Sequence, residues 1–179
     1  MDLGLPSRTL WCKYNLGVSP SKLLTPEDWD GDYYAWGELK PNKTNKDGEF
    51  YYGWNDYKFG NYNNLTKYCN KPTCGLNGFT DNLTELLPED DVAYQNKKFY
   101  NFKFHIPTKK QCEEIIKYTK NYWVKNYDPN KTIHNQKDDG GIQGLNGQVF
   151  TSKVNGNTLF IPAAGSCAGS NADNIGTRC

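Results

Sequence analysis

Residues 165–169, with the sequence Gly-Ser-Cys-Ala-Gly, have the outline of a nucleophile elbow in which Cys167 would be the nucleophile. A helix should follow such an elbow, whereas residues 170–174 form a polar, loop-like sequence. An activated thiol also needs a base or a positive environment, and neither His105 nor His134 lies in a recognisable partner motif. We therefore predict no catalytic residue in this chain.

Carboxylates at alternate positions, Asp28, Asp30 and Asp32, are typical of the beginning of a calcium-binding loop. The match ends there, because Tyr33 stands where the loop needs glycine and Leu39 stands where it needs its last glutamate. Helix capping and turn formation explain the three acids without a metal. We predict no metal ion and no cofactor.

The chain has six cysteines, of which Cys69 and Cys74 are the closest pair. Their spacing is compatible with a disulfide, with half of a zinc site or with two free thiols. The second half of a zinc site is missing, because the sequence has no other close pair of Cys or His residues. Cys112 lies on the apolar side of a predicted helix, where we expect a small core residue.

The chain carries 21 basic and 20 acidic residues, spread along its length, so it shows no electrostatic footprint for nucleic acid. No apolar stretch is long enough to span a bilayer, and the first residues lack the pattern of a secretory signal. Aromatic residues make up 15% of the chain, whereas disordered segments are poor in them. We predict one folded, loop-rich domain over residues 1–179, which binds neither nucleic acid nor membrane.

Two helices are predicted from their end signals. Thr25 as N-cap, followed by proline, begins a short helix that Gly31 ends early. Thr108 and Gln111 form a capping box at the beginning of a second helix, over residues 108–120. The acids at residues 89–91 should cap backbone amides rather than hold a metal. One face of the second helix carries Cys112, Ile115, Ile116 and Thr119, and we expect it to be buried.

Strands are predicted at residues 9–16, at 121–127 and in a hairpin over 148–161. In that hairpin Asn155 and Gly156 should occupy turn positions with positive φ. Strands near both ends, with helices between them, predict an α+β architecture rather than a parallel doubly wound sheet. The expected core consists of Leu10, Trp11, Tyr14, Trp36, Ile106, Ile115, Ile116, Phe150, Leu159 and Ile161.

The segment from residue 40 to residue 91 has no sustained period and is rich in glycine and aromatic residues. A loop this long inside a compact domain is uncommon and often functional. Its aromatic rings either pin the loop to the domain or form a platform for a ligand, since aromatic side chains serve both purposes. Tyr52, Trp54 and Tyr57 are our candidate ligand-binding residues.

Six short phrases resemble those of one protein family, and they extend over nearly the whole chain. They are Asp-Leu-Gly-Leu-Pro-Ser at 2–7, Asp-Tyr-Tyr-Ala-Trp-Gly-Glu at 32–38, Leu-Thr-Lys-Tyr-Cys at 65–69, Pro-Glu-Asp-Asp-Val-Ala at 88–93, Ile-Pro-Thr-Lys-Lys-Gln at 106–111 and Leu-Phe-Ile-Pro-Ala-Ala-Gly at 159–165. In these phrases the chain resembles the major-paralogous-domain family of surface and fibre modules found in gut Bacteroidetes and their phages. That family is related to C-type-lectin-like and formylglycine-generating-enzyme-like folds.

The resemblance implies a C-type-lectin-like domain with a small antiparallel sheet, two helices and long irregular loops. It implies a non-enzymatic recognition or structural module of a phage virion, in a fibre or a head or tail decoration, or of a bacterial cell surface. The partners expected from it are a host-surface glycan or protein and other virion or surface-protein subunits, including further copies of this chain. The family usually continues into further strands beyond the residue 159–165 phrase, so a chain ending at Cys179 is either an incomplete domain or one with an exposed sheet edge.

Two other functions are compatible with the sequence. One is a cysteine-dependent enzyme of the formylglycine-generating-like fold, for which Cys167 and Cys179 are the only cysteine pair in the corresponding region. The surrounding sequence does not match that family's catalytic motif, so we do not expect the activity. The other is an intersubunit scaffold without a ligand of its own.

Overall fold

The computed structural model describes residues 1–41, 43–44, 50–96, 104–131, 140–168, 171–173 and 177. The helices in this part of the chain are α1 (Glu27–Asp30), α2 (Val92–Gln95), α3 (Lys109–Tyr118) and a 3-10 turn (Leu76–Gly78). The strands are β1 (Lys43–Thr44), β2 (Phe50–Tyr51), β3 (Thr119–Val124), β4 (Gly147–Ser152), β5 (Thr158–Pro162), β6 (Ser166–Ala168) and β7 (Asn171–Asp173). A three-stranded antiparallel sheet has the order β3-β4-β5, and β1-β2 and β6-β7 form two short pairs. This is a small α+β fold, as predicted.

The chain divides into two compact units. Unit 1 consists of residues 1–32, 107–166 and 173–179, and unit 2 consists of residues 33–106 and 167–172. Unit 1 holds α1, α3 and the three-stranded sheet, whereas unit 2 holds α2, the β1-β2 pair and the 3-10 turn. The single domain expected over residues 1–179 stays a prediction.

Helix α3 begins with the predicted capping box. Thr108 Oγ1 accepts the Gln111 N–H at 3.3 Å, and the Gln111 side chain accepts the Thr108 N–H at 3.0 Å. The prediction of its buried face was wrong at two of four positions, because Cys112 is exposed and Ile116 is 58% exposed, whereas Ile115 is 2% exposed. Ile115 packs with Leu3, Leu5, Phe150 and Leu159, and polar contacts accompany this orientation of the helix. Glu114 accepts hydrogen bonds from the Ser7 N–H and hydroxyl at 2.9 and 2.5 Å, and buried Thr119 donates to the Ile115 carbonyl at 2.6 Å.

The β4-β5 hairpin is confirmed, but its turn differs from the prediction. Gly156 has a φ of 76°, while Asn155 is not among the residues with positive φ. Residues 153–157 form a longer loop, in which Ser152 Oγ accepts the N–H groups of Val154 and Asn155, both at 3.1 Å. The side chains of Asn155 and Asn157 both donate to the Asp2 carbonyl, at 3.1 and 2.8 Å. This loop therefore fastens the N-terminal segment to the sheet.

The strand predicted at residues 9–16 does not form; an isolated bridge joins Leu10 to Asp2, and Leu10 is 56% exposed. The buried apolar residues in this part of the chain are Leu3 and Leu5, which precede the predicted strand. Leu3 and Leu5 pack with Ile115 of α3 and with two residues of the sheet, Phe150 and Leu159, and Trp11 and Ile161 pack against this cluster.

A second core cluster in unit 1 surrounds Trp29, the buried residue of α1. It brings together Trp29, Val124, Leu145, Val149 and Phe160, with Tyr14, Leu23, Tyr127 and Ile142 packed against them. Helix α1 ends at Gly31 as predicted, but its N-cap is Pro26 rather than Thr25, and no side chain caps it. Asp28 reaches back instead and accepts the N–H groups of Leu24 and Thr25 at 3.0 and 2.9 Å.

Candidate functional site

Six aromatic side chains of unit 2 form one continuous row, which we call the aromatic row. Every neighbouring pair lies within the 4.5–7 Å range over which rings attract each other, and four of the five pairs are edge-to-face. Along the row the rings are Trp36, Tyr68, Phe59, Tyr57, Trp54 and Tyr62, with centroid distances of 6.3, 5.4, 5.7, 5.8 and 6.2 Å. Each ring of the aromatic row is therefore held in place by contact with its neighbours in the row.

The two ends of the aromatic row face solvent. Trp54 is 54% exposed and Tyr62 is 60% exposed at one end, and Trp36 is 45% exposed at the other, which corrects its prediction as a core residue. Buried Phe59 lies in the middle of the row. Rings that are fixed by their neighbours and open on one side offer contact area at a low cost in conformational entropy.

The three predicted ligand-binding residues do not have equal roles. The Tyr52 hydroxyl donates to the Glu38 carboxylate, and the Tyr57 hydroxyl donates to the Trp36 carbonyl at 2.9 Å. Burial, and after it the charge of Glu38, raises the pKa of Tyr57 to about 12. Both tyrosines thus hold the loop, whereas Trp54 presents its ring to solvent. Pinning of the loop is therefore shown for Tyr52 and Tyr57, while ligand binding by Trp54 stays a prediction.

A buried carboxylate, Asp90, joins the charged side chains beside the aromatic row. Its side chain is 4% exposed and accepts hydrogen bonds from Lys58 Nζ at 2.7 Å, Lys67 Nζ at 2.5 Å and the Tyr68 hydroxyl at 2.9 Å. Burial alone would raise the pKa of Asp90, but these three bonds outweigh it and lower that pKa to about 2. Both ammonium groups also lie over the Phe59 ring, at 4.7 and 5.6 Å from its centroid.

Tyr68 occupies its place in the row with an unusual backbone conformation. Its φ is 56°, which is rare for a bulky residue. Asp81 stabilises this turn, because its carboxylate accepts the N–H groups of Tyr68 at 2.7 Å and Cys69 at 2.9 Å. Gly37 lies against the same rings, where a Cβ atom would come within 2.7 Å of Phe59 and 3.2 Å of Tyr68. Backbone strain of this kind is often found where side chains must be held in place for function.

The acids at residues 89–91 divide into two roles. Asp91 is the N-cap of α2, as predicted, and its carboxylate accepts the N–H groups of Ala93 at 2.9 Å and Tyr94 at 3.0 Å. Asp90 caps nothing and binds the two lysines instead. The sequence signal for Asp91 was the following helix, whereas no local pattern indicates the partners of Asp90, which lie 22 to 32 residues away.

The cysteines with described side chains are free thiols, which decides between the alternatives for Cys69 and Cys74. Cys69 is buried and its thiol donates to the Lys71 carbonyl at 3.1 Å. Cys167 lies within β6, which is not the sharp strand-to-helix turn of a nucleophile elbow; its side chain and the whole of Cys179 lie outside the described residues.

The three alternate carboxylates near α1 do not form a metal site. Asp28 turns to the backbone ahead of the helix, while burial, followed by the charge of Glu27, raises the pKa of Asp30 to about 6. Within the described ranges, no group of three or more His, Cys, Asp or Glu side chains is arranged to hold a metal ion. The aromatic row is therefore the strongest candidate site.

Across the same ranges, no helix has the length and apolar character needed to cross a membrane. Comparison of the chain with protein-family models, with curated proteins and with solved structures finds no match. The resemblance to the major-paralogous-domain family therefore stays a prediction.

Proposed function

We propose that this chain is a non-enzymatic recognition module that binds a glycan or a protein of a host surface through the exposed end of the aromatic row. The single observation that carries this proposal is the exposure of two adjoining rings, Trp54 and Tyr62, on a loop that is otherwise fixed by buried contacts. A monomeric protein gains little by holding large rings in solvent, whereas binding surfaces are enriched in tryptophan and tyrosine.

Of a glycan and a protein, the surroundings of Trp54 and Tyr62 favour a glycan as the ligand. The neighbouring side chains are amides, with Asn55, Asn63 and Asn64 all exposed, rather than the aliphatic groups of a protein-binding core. A ring face packs on the C–H face of a sugar, while side-chain amides both donate and accept hydrogen bonds from hydroxyl groups. The combination resembles binding loops in which rigid aromatic anchors alternate with small polar residues.

The setting of this module is inferred from the family resemblance. We propose a C-type-lectin-like domain of a phage virion, as part of a fibre or of a head or tail decoration, or of a Bacteroidetes cell surface. Such a domain would be mounted on other subunits, including copies of itself, and would have no catalytic activity.

The test compares binding of the native chain and of variants to immobilised glycans and to intact Bacteroidetes cells. We expect Trp54→Ala with Tyr62→Ala to abolish binding, because the change removes the exposed rings and leaves the buried part of the row in place. Trp123→Ala is the matched control, since it removes a 38% exposed tryptophan from unit 1. Circular dichroism and thermal unfolding should show that both variants remain folded.

Two results would overturn the proposal, and a third would decide against a glycan as the ligand. Binding that survives the loss of both rings would place the binding surface elsewhere. Binding to cells that requires the two rings, and that is also abolished by protease treatment of the cells, would identify a protein as the ligand. Turnover of an acyl, glycosyl or peptide substrate that disappears in Cys167→Ser would favour the enzyme.

A further inference from the structure

Charge is distributed unevenly around the exposed end of the aromatic row. Between Tyr52 and Tyr62 the sequence has one acid, Asp56, and one base, Lys58. The base is paired, because its ammonium group lies 2.7 Å from the Asp90 carboxylate, over the Phe59 ring in the middle of the row. The acid is exposed and accepts the Gly53 N–H at 3.1 Å, one residue before Trp54.

A second carboxylate adds to the negative charge of this segment. Glu38 accepts the Tyr52 hydroxyl and the Lys58 backbone N–H, the latter at 2.9 Å. These partners are neutral groups, and among the described residues no lysine or arginine side chain forms an ion pair with Glu38 or Asp56. The charges of both acids also contribute, after burial and the Glu38 hydrogen bond, to the raised pKa of Tyr52.

The rings, like the two carboxylates, disfavour an anionic ligand. The face of an indole or phenol ring is electron-rich, so it attracts partially positive C–H groups and repels anions. A ligand that carries a carboxylate or sulfate and binds these rings would be repelled by two acids that have no ion-pair partner among the described residues, and by two electron-rich ring faces. A sugar without such groups would meet no repulsion.

We propose that the ligand of the exposed rings is an uncharged glycan and that Glu38 and Asp56 exclude acidic glycans from this site. This inference rests on the proposed function, since it names the class of glycan that the same surface takes. The two carboxylates act as specificity determinants, and they hold the loop in place with their other hydrogen bonds.

The test uses pairs of immobilised glycans that share one sugar backbone: polygalacturonate with its methyl ester, and sulfated glycans with their desulfated forms, beside neutral glucans, mannans and galactans. At low salt we expect the uncharged member of a pair to bind about fivefold more tightly or better, the factor that one unit-charge contact in water contributes. The difference should shrink at about 0.5 M salt, where exposed charges are screened.

The variant Glu38→Gln with Asp56→Asn keeps an acceptor oxygen for each hydrogen bond and removes both charges. We expect its affinity for the acidic members to rise about fivefold relative to that for their uncharged partners. Glu85→Gln is the matched control, because it removes one charge from an exposed residue outside the row.

The possible failures are distinguishable. Trp54-dependent binding that is equal or tighter for the acidic members, or a preference that the double variant leaves unchanged, would overturn the exclusion of acidic glycans and leave the recognition function standing. Trp54-dependent binding to a protein alone would likewise overturn only the exclusion of acidic glycans, and absence of any Trp54-dependent binding, to glycans or to cells, would overturn both.

Discussion

Replacing Asp90 by asparagine tests whether one buried carboxylate holds together the charged side chains beside the aromatic row. Asparagine has nearly the same size but only one acceptor oxygen and no charge, so at least one of Lys58, Lys67 and Tyr68 loses its partner. A hydrogen bond to a charged group contributes about 1.5–3 kcal/mol, and breaking a buried ion pair costs about 3–5 kcal/mol. The Lys58 side chain is 48% exposed and regains water, so we expect a loss near the lower end, about 2–3 kcal/mol.

Urea denaturation at pH 7, followed by tryptophan fluorescence, measures this loss. The matched control is Glu89→Gln, which removes the neighbouring carboxylate; its side chain is 64% exposed and lies 3.6 Å from Lys67 Nζ. An exposed pair of this kind contributes less than about 1 kcal/mol. Equal effects of the two replacements, within about 0.5 kcal/mol, would refute the view that burial makes Asp90 the important partner.

The pH dependence of the same difference gives a second check. The folded-state pKa of Asp90, about 2, lies below the ordinary value near 3.9 of an unfolded chain. Its contribution to stability is therefore fully present above about pH 4 and is lost as the pH falls toward 2. The difference between the native chain and Asp90→Asn should shrink over that interval, and a difference that stays constant would contradict the charge-based explanation.

Two further predictions concern unit 1. Ile115→Ala should lower the free energy of unfolding by about 2–5 kcal/mol because the side chain is 2% exposed, whereas Ile116→Ala should change it by less than about 0.5 kcal/mol. Urea denaturation measures both changes. A larger loss for Ile116 would show that its face of the helix is the buried one. Gly156→Val should destabilise the hairpin loop by about 1–2 kcal/mol, because the φ of 76° is unfavourable for a β-branched residue, although the Cβ itself would find open space. Gly156→Asn should cost less, since asparagine tolerates this conformation. Equal melting temperatures of these two variants would argue against a strained backbone.

The parts of the fold that were predictable are those encoded by neighbouring residues. The capping box of α3 and the β4-β5 hairpin each lie within a short segment. The buried face of α3 was not predictable in the same way, because Ile115 and Ile116 are adjacent and a ten-residue helix offers too few turns to choose between them. Two apolar partners of Ile115, Leu3 and Leu5, lie more than a hundred residues away in sequence.

The candidate site was predictable in composition and not in detail. A dense group of aromatic residues on a long loop indicated that rings would matter, and Trp54 proved to be exposed. Which rings face solvent depends on hydroxyl partners, such as Glu38 for Tyr52, that lie outside the segment. Tyr62 was missed because nothing in its neighbourhood distinguishes it from the tyrosines that are pinned.

The division of unit 1 into separate stretches of chain affects how it is made. Leu3 and Leu5 leave the ribosome long before Ile115, Phe150 and Leu159, the residues that they pack against. Residues 33–106 of unit 2 are synthesised in between, which takes roughly 4–15 s at about 5–20 residues per second. During that interval the first leucines have no core to join, so unit 1 completes its folding only after its second stretch has emerged.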